Sequence, residues 1–312
     1  MLSTAATILP VFLIILAGYG AARTGVVPAA SAQTVNRFVI WIPLPALMFH
    51  IVATADWSHM WNGKYVLVML ASSFAIFAIG MALGRLAGRP LADMAVDGLN
   101  ASYSNAGYLG LPMLLLAIGP QSGPYVVVAF SLMLGALFAA ATIVIELAES
   151  HGHSLLRAIG KALMGVIRNP VIAPPMLGLL WWLSGFVLPA PIDRFLKLLG
   201  DAASPTALAG IGLLLAQRPA PGTASYRLVL SLSFTKLVLH PLLTAFLAIQ
   251  LFGLPTHIAL IAVLISAMPT GTGPFMITGI YDREGAVTSR TILLSTVVSV
   301  FTITAILSLF PA

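Results

Sequence analysis

Residues 100–112 read NASYSNAGYLGLP, inside a chain that is otherwise mostly Leu, Ile, Val and Ala. Two asparagines, two glycines and a proline within thirteen residues are poor material for a helix through lipid. Glycine admits conformations closed to other residues, and proline lacks a donor and clashes with the preceding turn. In the bilayer core every backbone N–H and C=O must be satisfied internally, so an interrupted helix survives only against protein or a watery cavity. Gly107, Gly110 and Pro112 are therefore expected to interrupt a membrane helix near its middle, and with the nearby Ser104 and Asn105 they are candidate substrate-binding residues.

The rest of the chain supplies the membrane. Of 312 residues, 59% are hydrophobic and 8% charged, with mean hydropathy +1.02. A soluble domain carries about 25% charged residues, so this is an integral membrane protein. Apolar runs of about 20 residues recur along the whole length. They place ten spans near 4–22, 38–55, 65–83, 98–118, 125–147, 169–188, 198–216, 227–252, 258–280 and 291–311. The first, AATILPVFLIILAGYGAA, has no positive residue before it and Arg23 after it, the pattern of a span and not of a cleaved signal.

Charge tests the count. The odd loops carry Arg23, Arg37, Arg85, Arg89, Arg157, Lys161, Arg168, Arg218, Arg227, Arg283 and Arg290, eleven in all. The even loops carry three, Lys64, Arg194 and Lys197, and Lys236 is left inside a span. This asymmetry puts the odd loops in the cytoplasm and both termini outside, as expected for a multi-pass inner-membrane protein. The net charge of +6 is spread singly over loops, so no nucleic-acid partner is expected. There is no cysteine, hence no thiolate metal site or thiol nucleophile.

The chain also repeats itself. Pro10, Gly18 and Gly25 in span one have the spacing of Pro170, Gly178 and Gly185 in span six, 8 and then 7 residues. PLPALM around Pro45 in span two answers SPTALAGIG around Pro205 in span seven, and GYLGLP in span four answers PTGTGP in span nine. Five spans per half is odd, so the second half starts on the opposite face and the repeat is inverted. The halves are 1–150 and 151–312, joined at the charged linker AESHGHSLLRAIGK. Breaks at equivalent places, with Pro269, Thr270, Gly271, Thr272, Gly273 and Pro274 in span nine, are expected to cross at mid-depth. There they would present half-helix N-termini whose free N–H groups and dipoles favour an anion. The competing reading is a pair of kinked helices packed through small residues.

Asn105 followed by Gly110 and Pro112 resembles the fourth-span motif of the auxin efflux carrier family of membrane transporters, within the bile/arsenite/riboflavin transporter-like superfamily. GDAASPTALAGIGLLLAQRP, KLVLHP and MPTGTGPFMITGIYDREGAVTSRTILLST, in spans seven to ten, resemble it as well. The resemblance runs over essentially the whole chain. It implies an all-α membrane protein of ten transmembrane helices in two inverted five-helix repeats, with broken helices four and nine crossed. It further implies a scaffold of spans one, two, six and seven beside a transport unit of spans three to five and eight to ten that moves as an elevator. By similarity, Asn105 falls at a substrate-contacting position, Pro112 and Pro269 fall within the crossover, and spans two and seven form a homodimer surface. The short linker, in place of the long cytoplasmic loop of the plant carriers, points to a bacterial-type member.

Lys236 lies nine residues past Arg227, roughly 14 Å into the hydrocarbon at 1.5 Å per residue. An ionisable group at that depth faces a partner or a cavity. Two readings are open: a fixed cation capping broken-helix carbonyls, or a positive charge beside the crossover that draws in an anion or exchanges a proton. His240 is one turn on, on the same face, next to Pro241. Asp201 is placed to cap span seven. Glu146 is expected to be solvated, and Asp93 and Asp97 to be ordinary acids at a helix start. His50, His59, His151 and His153 show no paired metal spacing.

The leading function is a secondary transporter for a small organic anion, a mono- or dicarboxylate such as malonate, working by alternating access without a cofactor. No phosphate loop is present to hydrolyse ATP, and no G-x-S-x-G, H-E-x-x-H or aspartate-rich motif supports an embedded enzyme. A carrier for a neutral or cationic solute is the alternative.

Overall fold

The computed structural model describes residues 2–149, 159–160, 164, 172–217, 225–283 and 285–309. The linker histidines, Arg157, Lys161, Arg168, Pro170 and Arg218 lie outside these residues. Everything regular in the described part is helix; the one β feature is an isolated antiparallel bridge between Ser104 and Thr270.

Helices α1 (Leu2–Arg23), α2 (Ala32–Trp41), α3 (Pro43–Thr54), α4 (Gly63–Leu86) and α5 (Leu91–Ser102) come first. The chain continues through α6 (Leu111–Ala117), α7 (Gly123–Leu132) and α8 (Phe138–Glu149). After the linker come α9 (Ala173–Leu183), α10 (Ala190–Asp201), α11 (Ala203–Leu215), α12 (Tyr226–Phe234) and α13 (His240–Ala245). The last three are α14 (Thr256–Ala267), α15 (Gly273–Ile280) and α16 (Ala286–Leu309). Six continuous helical runs, beginning at 29, 63, 120, 190, 226 and 286, are long and apolar enough to cross a membrane. Of four shorter apolar helices, Leu9–Arg23 precedes them and Ala106–Ala117, Ala173–Leu183 and Thr256–Ala267 lie between them. Side chains such as Leu16, Leu198 and Phe301 are exposed on their flanks, as lipid-facing residues must be.

Proline sets many of the helix starts. Pro43, Pro112, Pro124, Pro241 and Pro274 all stand in a first turn, where the missing N–H has no intrahelical partner to lose. Pro112 and Pro241 share a further feature. Each follows, by two residues, a π-helical turn, Ala106–Gly110 or Thr235–Leu239. Proline cannot donate to the carbonyl four residues back, and widening the preceding turn lets other donors meet the freed carbonyls. Within the first of these turns the amide of Gly110 donates to the Asn105 carbonyl, five residues back, at 2.9 Å.

The helices associate in two groups. In one, α1 packs on α11, α3 on α9 and α10, and α2 on α11. In the other, α4 packs on α5, α5 on α8, α13 on α14, and α12 on α16. Lipid gives no hydrophobic drive to helix association, so small residues that admit close backbone approach decide the contact. A Cβ added to Gly18 would lie 2.2 Å from the Ala209 carbonyl oxygen, and one added to Gly212 only 2.1 Å from that of Ile15. Span one and span seven therefore touch backbone to backbone through two glycines.

Candidate functional site

Between α5 and the π turn the chain is non-helical at residues 103–105, and between α14 and α15 at 268–272. The break in span four thus lies two residues ahead of Gly107. Gly107 and Gly110 are buried inside the π turn and Pro112 in the first turn of α6, all within helix. In span nine the expected residues do fall in the break: Pro269, Thr270, Gly271 and Thr272, with Gly273 opening α15.

The two breaks bond to each other. The Asn105 amide donates to the Pro269 carbonyl at 2.8 Å, and the Gly271 amide to the Tyr103 carbonyl at 2.9 Å. Side chains complete the exchange. The Thr270 hydroxyl donates to the Asn100 carbonyl at 2.8 Å, near the C-terminus of α5, and the Thr270 amide to Ser295 Oγ at 3.1 Å. Lys236 Nζ donates to the Ser266 carbonyl at 2.5 Å, near the C-terminus of α14, and contacts His240 Nδ1 at 3.2 Å. Carbonyls at a helix C-terminus have no intrahelical donor; here one is met by a hydroxyl and one by an ammonium, both fully buried.

On the other side of the bridge the ends of the half-helices stay open. A cavity of ≈ 770 Å³ is lined by Tyr103, Ser104, Asn105, Gly271, Thr272 and Gly273, and by parts of α2, α11, α15 and α16. Among the described residues the Asn105 side chain makes no hydrogen bond. Ser104 Oγ is fully buried and without a partner. A buried hydroxyl left unpaired costs about 1–3 kcal/mol, so a donor or acceptor from an occupant would be stabilising here. Glycine is needed at 271 and 273 for a steric reason. A Cβ would lie 3.0 or 2.8 Å from the Tyr103 ring, which packs edge-on against Phe138 at 6.0 Å.

The structure brings Ser104, Asn105, Gly271, Thr272 and Gly273 to the cavity and leaves the other expected site residues outside its lining. Lys236 and His240 are fully buried behind the bridge, in the carbonyl-capping arrangement. Pro45 is in the first turn of α3 and Pro205 is exposed on α11. Asp201 does not cap span seven: it is the exposed last residue of α10, and Ala202 stands at the cap without a side-chain bond.

Four features went unread in the sequence. Arg37, counted only as loop charge, lines the cavity, and among the described lining residues it is the one that carries a charge. Asn36, beside it, accepts a hydrogen bond from the Tyr108 hydroxyl at 2.5 Å, tying α2 to the π turn. Asp97 and Asp93 are not ordinary helix-start acids but buried partners of Arg89 and Arg283, at 2.8 and 2.7 Å. Glu146, expected in solvent, accepts from the Tyr281 hydroxyl at 3.0 Å. These acids tie α5 and α8 to the segments that flank them on one face. Arg37 recurs at no helical spacing with another charge, so only its neighbours in space reveal it.

A profile of the family described as "Membrane transport protein" matches residues 4–307. The chain belongs to that family. It is 31% identical over 308 residues to the "Putative malonate transporter" of Rhizobium meliloti (strain 1021), covering 97% of this chain and 94% of that one. It is 26% identical over 302 residues to "Uncharacterized transporter YfdV" of Escherichia coli (strain K12), 94% of each chain. Against "Probable auxin efflux carrier component 3b" of Oryza sativa subsp. japonica it is 27% identical over 128 residues, 38% of this chain and 22% of that one. It is a multi-pass membrane transporter related to the auxin efflux carriers.

Proposed function

We propose that this protein is a secondary transporter that moves a small organic anion of the mono- or dicarboxylate class by alternating access. The observation that carries the reading is the mutual hydrogen bonding of the two breaks, with a cavity on the side of the open half-helix N-termini. First-turn N–H groups and the helix dipole favour negative charge. The orphan Ser104 hydroxyl and the unbonded Asn105 amide add polar groups at the same place, and Arg37 adds a positive charge. A relative alike over nearly its whole length carries malonate in its name.

Ten spans in two inverted five-helix repeats account for further regularities. Positive φ occurs in the described chain at Gly25, Gly88 and Gly119 in the first half and at Gly185, Gly253 and Asp282 in the second. Each pair follows equivalent spans, one and six, three and eight, four and nine. The two packing groups match a scaffold of spans one, two, six and seven and a transport unit of the rest. Cavity residues 32–41, 214–217, 276–279 and 289–293 adjoin odd loops, the side that charge asymmetry assigns to the cytoplasm. The cavity then represents an inward-open state, with both termini outside. Lys236 in this reading is a fixed cap on α14 and takes no part in binding.

Uptake of radiolabelled carboxylates into proteoliposomes tests the proposal. Saturable uptake of at least one small carboxylate is expected; absence of flux for every anion offered, with folded protein in the vesicles, would overturn it.

A further inference from the structure

Arg37 is a little over a quarter of the way round α2 from Asn36, and its Cα is about 3.8 Å from that of Asn36. Asn36 in turn holds the Tyr108 hydroxyl at 2.5 Å, three residues past Asn105. Arg37, an exposed residue of α2 one position on from that side chain, lines the same cavity as Ser104, Asn105 and Thr272. Among the described residues no acid lines that cavity, and Arg37 forms no ion pair with any of them. Two other arginines of the odd loops, Arg89 and Arg283, are engaged by Asp97, Asp93 and Glu149. The cavity therefore has two separate places for negative charge. One is the floor, made of half-helix N-termini and amide and hydroxyl groups; the other is Arg37 on α2, in the same lining.

We infer that Arg37 selects for a dianion: the floor takes one carboxylate and Arg37 takes the second, so that the carrier discriminates dicarboxylates from monoanions of the same size. This rests on the organic-anion reading given above. A guanidinium meets a carboxylate bidentately, with directionality that a point charge lacks. Because α2 belongs to one packing group and the floor to the other, a bound dicarboxylate bridges the two groups, which a monocarboxylate does not.

The test compares malonate with malonamate, which has nearly the same shape and one carboxylate replaced by an amide. Uptake of both into proteoliposomes is measured for the wild type, Arg37→Gln, Arg37→Lys and Arg23→Gln. Arg23 ends α1 and does not line the cavity, so it controls for general surface charge. The wild type is expected to favour malonate, and R37Q to raise the KM for malonate roughly tenfold, the loss of one charged hydrogen-bonding contact. In R37Q the preference for malonate over malonamate disappears, and a thermal unfolding midpoint near that of the wild type reports that the variant is folded. R37K keeps part of the preference and R23Q all of it. Equal handling of the two substrates by the wild type, a wild-type preference in R37Q, or the same loss in R23Q overturns the inference while leaving an anion carrier. A folded wild type that moves no carboxylate overturns the carrier reading and this one together.

Discussion

The four half-helix ends at the crossover fall into two kinds. At the C-termini of α5 and α14, carbonyls meet buried donors, Thr270 for Asn100 and Lys236 for Ser266. At the start of the π turn and of α15, Asn105 and Thr272 carry no side-chain cap and face the cavity. The same backbone chemistry is thus closed off where the surroundings are dry and left available where water or a solute can reach. The difference teaches that the fold spends its polar side chains on the ends a substrate does not visit. Open and closed ends are also separable by experiment, because losses at one kind should appear in transport and losses at the other in stability.

The largest effect is expected at an open end. Asn105→Ala should weaken apparent substrate affinity by about 10- to 100-fold, the range for a hydrogen bond to a charged group. Its thermal unfolding in detergent should stay near that of the wild type. A variant that loses stability and keeps its KM would erase the distinction between the two ends. Next comes a closed end. Lys236→Met leaves the Ser266 carbonyl without its donor and should destabilise the protein by about 1–3 kcal/mol, read as a lowered unfolding midpoint. Flux per folded molecule should persist at reduced temperature; complete loss of transport with unchanged stability would return Lys236 to the binding machinery.

Thr270→Val removes a neutral donor from the other closed end. It should cost about 1 kcal/mol, less than the lysine variant, with KM unaltered. The smallest change is expected for Tyr108→Phe, which deletes the hydroxyl bonded to Asn36. Interhelical hydrogen bonds in membranes average about 0.6 kcal/mol, so the unfolding midpoint should move only slightly. That bond spans the two packing groups, and losing it should alter the rate of transport more than equilibrium binding, which steady-state and binding measurements separate. A KM shift as large as that of Asn105→Ala would show that Tyr108 belongs to the floor.

How far the site was legible follows from the same contrast. GYLGLP announced a disturbed helix, and PTGTGP announced its counterpart, because glycine and proline act on their own turn. The position of the first break was misjudged by a few residues. Pro112 is tolerated in a first turn, and the π turn before it absorbs the lost donor, so the chain opens earlier, at Tyr103, Ser104 and Asn105. Asp201 has the residue type of a cap and the wrong place for one, since α10 runs through it. Asp93 read as an ordinary acid because its partner Arg283 comes 190 residues later, and Asp97 because its partner Arg89 stands outside α5, where helical spacing does not reveal the pair.

By itself the sequence determined that this chain lives in a bilayer, which stretches are apolar enough to cross it, and that two of them are interrupted. Those properties depend on hydropathy and on the local limits of glycine and proline. Only the tertiary structure decided that the interruptions bond to each other, that Lys236 faces a carbonyl and not the cavity, and that Arg37 faces the cavity and not merely the loop. Each of these joins groups far apart in sequence, Thr270 and Asn100 by 170 residues. The physical reason is that a backbone group freed in a low-dielectric interior takes whichever donor packing brings near, and packing is a property of the whole chain.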